Sequence, residues 1–136
     1  MSPGMEAPLH PRRCTKAFKG KGELRQRLHE VERQLDVLRR RMGQMKDQTR
    51  SVRGRLFALE TYVKRGAGAM NLRWRLVVGK HALWERDIEP ALAGFPADMQ
   101  AWYRRAHVAA LILNVQERCL RYEAVALGKL LLRLRE

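Results

Sequence analysis

Side chains recur at alternating steps of four and three from Leu24 through Leu28, Val31, Leu35, Leu38, Met42, Met45, Thr49, Val52, Leu56 and Leu59 to Val63. All but Thr49 are apolar, and the spacing is that of a heptad seam, a narrow stripe facing a partner helix. It predicts one helix over about residues 22–64, supported by carboxylate-to-base pairs four apart such as Glu23 with Arg27, Asp36 with Arg40 and Glu60 with Lys64. At about 1.5 Å per residue, such a rod reaches on the order of 60 Å. Gly43 and Gly54 fall off the seam, where each costs about 1 kcal/mol relative to alanine and marks a bend or a close crossing.

A second helical period begins past Pro96 with Met99, Trp102, Ala106, Ala109 and Leu113 and continues through Leu120, Ala124, Leu127, Leu131 and Leu134. Val108, Leu111, Ile112, Val115, Val125 and Leu130 lie off that stripe, so this helix, about 97–135, is apolar on more than one face and expects two or more neighbours. Between the helices, Gly66, Ala67 and Gly68 suit a helix end. Leu72, Arg73, Trp74, Arg75 and Leu76 alternate like an extended segment with no obvious sheet to join, and a short helix follows over about 80–93, interrupted by Pro90. The expected fold is all-α: a long antiparallel helical hairpin over 22–136 with a short helix in its connector (66–96). Residues 1–21, rich in proline and glycine and then basic, read as a disordered arm.

Charge narrows the class of partner. The 136-residue chain carries 28 Lys and Arg against 14 Asp and Glu, a formal net charge of +14. Residues 1–80 hold 20 bases and 7 acids (+13), while 81–136 hold 8 and 7 (+1). A solvated helix face mixes both signs, so so lopsided a front half calls for a polyanion, of which nucleic acid is the commonest. Seven of the twelve positions flanking the seam are basic and two acidic, so charge neither selects nor forbids a homodimer through it.

Catalytic and metal chemistry find no footing. Cys14 and Cys119, with histidines at 10, 29, 81 and 107, have no metal-ligand spacing, and two lone cysteines suit a reducing compartment. Ser2 and Ser51 lie in no nucleophile-like setting, and Glu85, Asp87 and Glu89 read as solvated surface. Apolar runs break well before the roughly 20 residues of a membrane span, and no segment resembles a signal peptide. The expectation is a cytoplasmic protein with no cofactor, no metal, no membrane contact and no enzymatic activity. Asn71 to Arg75 is the best local nucleic-acid candidate, two guanidiniums flanking an indole, although tryptophan more often supplies buried area than a stacking platform. Arg39, Arg40 and Arg41 spread around most of the helix and form no single patch. Lys19, Gly20, Lys21 and Gly22 lack the strand and the Lys-Ser or Lys-Thr ending of a phosphate loop.

Short blocks also carry a resemblance: Lys19 to Leu24 (KGKGEL), Gly66 to Arg75 (GAGAMNLRWR), Ala82 to Glu85 (ALWE), Leu113 to Gln116 (LNVQ) and a helix ending near Gly128 and Lys129. Over roughly residues 18–134 the chain resembles a family of small proteins of bacterial integrating conjugative elements, some labelled integrase regulator R. The resemblance implies an accessory protein of a mobile element that assists or regulates an integrase, and it brings no functional residues. The stretch 76–81 departs from the family pattern.

Charge and resemblance together lead to the expectation of a DNA-associated accessory protein contacting phosphates with little sequence preference through Lys16, Lys19, Lys21, Arg39, Arg40, Arg53, Arg55, Arg73 and Arg75. The alternative is a scaffold that docks another protein through its seam, Leu28, Leu35, Leu38, Met42, Val52, Leu56 and Leu59, without touching nucleic acid.

Overall fold

A computed structural model of the chain describes residues 20–66 and 68–135; Cys14, Lys16, Lys19 and the rest of the expected N-terminal arm up to residue 19 lie outside them. Helix α1 (Lys21–Arg50) follows the seam only as far as Thr49. Leu24, Val31, Leu35, Leu38 and Met42 are buried along it. The hydroxyls of Thr49 and Ser51 donate back to the carbonyls of Lys46 and Gln48, which ends the helix by offering the last turn local partners. Gly54, at φ +70°, then turns the chain through a conformation that other residues seldom adopt.

The expected all-α hairpin is therefore corrected. Residues 57–64 do not continue the rod; they form strand β1 (Phe57–Lys64), paired antiparallel with β2 (Ala69–Leu76) in a two-stranded sheet. Seam positions Val52, Leu56, Leu59 and Val63 thus leave the helix: Leu59 is buried in β1, while Leu56 and Val63 are more than half exposed. The competing pattern is Phe57, Leu59, Thr61 and Val63 at period two, opposite Leu76, Trp74, Leu72 and Met70. Gly66 and Gly68, both at positive φ, close the loop. The extended segment at Leu72 does have a sheet to join, the strand that the seam concealed.

A two-stranded ribbon is marginal alone, and its stability comes from its edge. Along the side of β2 away from β1, the amide of Met70 donates to Glu117 (3.0 Å), that of Leu72 to Asn114 Oδ1 (2.8 Å), and Asn114 Nδ2 donates to the carbonyl of Leu72 (3.0 Å). The amide of Ala82 donates to the carbonyl of Trp74. Helix α2 (Ala97–Arg133) thereby holds the ribbon by its backbone. At the other end, the amide of Leu59 donates to Thr49 Oγ1 (2.9 Å), tying β1 to the end of α1.

Helices α1 and α2 run antiparallel: Leu24 and Val31 pack with Leu127, and Leu38 and Met42 with Ala110 and Leu113. In place of a short helix, the connector makes one π-helical turn (Trp84–Ile88) and a 3-10 turn that Pro90 opens (Pro90–Gly94). These place Ile88 and Leu92 under the ribbon, where Phe57 meets Trp74, Phe95 and Tyr103 with ring centroids 5.9, 6.0 and 5.1 Å away. Among the described residues, no helix is long and apolar enough to cross a membrane.

Candidate nucleic-acid interface

The cationic side chains divide into those occupied by carboxylates within the fold and those left over. Arg27 clamps Glu123 (2.7 Å) and Glu30 (2.9 Å), and hydrogen bonding to Glu123 raises its pKa against the opposing effect of burial. Arg39 reaches across to Glu117 (2.7 Å), which is fully buried, and also donates to the carbonyl of Gly68. Arg40 pairs with Asp36 (3.0 Å) on the exposed surface of α1. On the outer face of the ribbon, Arg73 and Arg75 share Glu60 (3.1 and 3.2 Å), and the Arg73 guanidinium lies 3.9 Å from the centre of the Tyr62 ring.

Four of the nine expected phosphate contacts, Arg39, Arg40, Arg73 and Arg75, therefore hold a carboxylate already. Lys16 and Lys19 lie outside the described residues. Lys21, Arg53 and Arg55 make no ion pair among the described residues. Trp74 offers no platform for a base: its ring is buried, and Nε1 donates to His107 Nδ1 (3.1 Å).

What the fold brings together is a cradle at the base of the ribbon. Arg50 ends α1, Arg55 follows the Gly54 turn, and Arg75 comes from β2; the three line a cavity of about 140 Å³ with Glu60 and Gly79. Its far wall is the tight turn after β2, in which the amide of Leu76 donates to the carbonyl of Lys80 (2.7 Å) and Gly79 sits at φ +92°. Three arginines and one glutamate in the same lining leave an excess of two positive charges. Because Arg75 shares Glu60 with Arg73, that carboxylate is already divided between two cations. Arg50 and Arg55 form no ion pair among the described residues, so their fork-shaped donors are available to phosphate oxygens. Arg50 was missed by sequence reasoning. Its signal was its place just before a helix-ending Ser51 and Gly54, legible only once the chain is known to reverse there.

Among the described residues, no group of His, Cys, Asp and Glu is arranged to hold a metal ion. Compared with known proteins, the chain matches no family model, no curated protein and no solved structure.

Proposed function

We propose that this protein is a non-enzymatic, DNA-associated accessory factor whose phosphate contacts centre on Arg50, Arg55 and Arg75. The observation that carries the reading is that these three arginines line one cavity whose lining holds a single carboxylate residue, Glu60. The charge of the chain supports it, because internal ion pairs consume acids and bases alike and leave the surplus of +14 in place. Contacts of this kind position a protein on a duplex without reading its sequence. The two lone cysteines support a cytoplasmic setting, and the family resemblance supports a place beside an integrase of an integrating conjugative element.

Fluorescence anisotropy with a random duplex, titrated between about 50 and 300 mM salt, tests the proposal. Each neutralised phosphate contributes about −0.9 to the slope of log affinity against log salt. The double substitution Arg50→Ala with Arg55→Ala is expected to flatten that slope by about two contacts, whereas Arg40→Ala leaves it nearly unchanged. A native affinity indifferent to salt, or a double variant indistinguishable from the native protein, would refute it.

Against the scaffold alternative, Leu38 and Met42 of the α1 seam are buried in one cluster with residues of α2 and the ribbon, whereas Leu56 is more than half exposed.

A further inference from the structure

We propose that the outer face of α2 is a self-association surface, on which a second copy of the chain lays its own α2 antiparallel about a two-fold axis at the level of residue 120. The inner side of α2 is spent on α1 and the ribbon, with Tyr103, Ala110, Leu113, Glu117 and Leu127 buried. On its opposite side a second stripe runs from Val108 to Leu132 at steps of three and four, the spacing of a coiled-coil seam. Every position of that stripe is exposed, Tyr122 to 74% and Leu132 to 60%. A groove of about 570 Å³ beside Val115 and Cys119 prolongs the apolar surface onto Val37 of α1. An exposed stripe in which six of eight positions are large apolar side chains marks an interface, unlike hydrophobic residues scattered singly.

Charge selects both occupant and direction. The stripe is interrupted by two cations, Arg118 and Lys129. In a parallel pair each would face its own copy, setting like charges side by side twice along the seam. The positions are, however, symmetric about residue 120. An antiparallel second copy sets Val108 against Leu132, Val115 against Val125, Leu111 against Lys129 and Arg118 against Tyr122. The guanidinium then lies on an aromatic face, and the lysine stem covers a leucine while its ammonium reaches water. The surface is thus complementary to itself, as a closed two-fold contact requires.

Sedimentation equilibrium of the full chain at up to about 100 µM is expected to show a dimer. Val115→Glu and Val125→Lys each change an exposed residue, so both variants are expected to keep the native far-UV circular dichroism while the dimer weakens at least about tenfold. Because positions 115 and 125 face each other only in the antiparallel arrangement, the double variant places glutamate against lysine twice and is expected to regain the dimer. A monomeric native protein, single variants that dimerise normally, or a double variant no tighter than the singles would each overturn the proposal.

Discussion

Glu117 is fully enclosed, and burial alone would raise its pKa; the Arg39 hydrogen bond, the Met70 amide and the neighbouring Arg121 together hold it below the usual carboxylate range. Removing one partner of such a group leaves the others uncompensated, which costs about 3–5 kcal/mol. Glu117→Gln is expected to lower the melting temperature by about 10 °C or more. Since the folded pKa is depressed, the stabilisation is fully present above the ordinary glutamate value and is lost as pH falls through the lower folded value. Denaturation midpoints measured from neutral pH downward should therefore drop steeply below about pH 4.3 in the native protein and less in Glu117→Gln. His107 behaves differently, because burial lowers its pKa more than Glu89 and Glu85 raise it. The ring accepts from Trp74 Nε1 and stacks on Trp84 at 4.1 Å, so the neutral form is the one the fold requires. Its contribution is complete above about pH 6.5 and is lost as pH falls through the depressed folded value. Tryptophan fluorescence should change over that acid range, and His107→Gln should abolish the step.

At the scale of elements, Asn114 does for the ribbon what a third strand would do, by satisfying both backbone groups of Leu72. Asn114→Leu leaves that amide and carbonyl unpaired against α2, each costing about 1–3 kcal/mol. Hydrogen exchange at Leu72 is expected to accelerate by at least tenfold, while the amides in the middle of α1 remain protected. This dependence explains why the ribbon was hidden in the sequence. Leu56, Leu59 and Val63 continue the seam in perfect phase, and the alternation through Phe57, Leu59 and Thr61 is equally present. Local pattern cannot choose between them; the choice is made by Asn114 and Glu117, some forty to sixty residues away, which cap the far edge of β2. What depends on local pattern was legible: the seam from Leu24 to Met42, the second long helix, the extended segment at Leu72 and the burial of Trp74. Pairing partners distant in sequence were not, so Arg39 read as a free cation although Glu117 holds it.

Across the whole molecule, the two proposals place the cationic cradle and the outer stripe of α2 on different elements, so each can fail without the other. Together they imply a dimer with two cradles, and two sites joined rigidly bind a long polyanion more tightly than either alone if the polymer reaches both. A duplex of about 40 base pairs should then bind the native protein more tightly, per site, than one of about 10. Val115→Lys separates this effect from simple attraction. It adds a positive charge to each chain, so charge alone would strengthen binding, whereas loss of the dimer would weaken it for the long duplex and leave the short one little changed. The expected outcome is a selective loss of at least about tenfold on the long duplex, read by anisotropy at fixed salt. Equal or tighter binding of Val115→Lys to both duplexes would show that the cradles act singly.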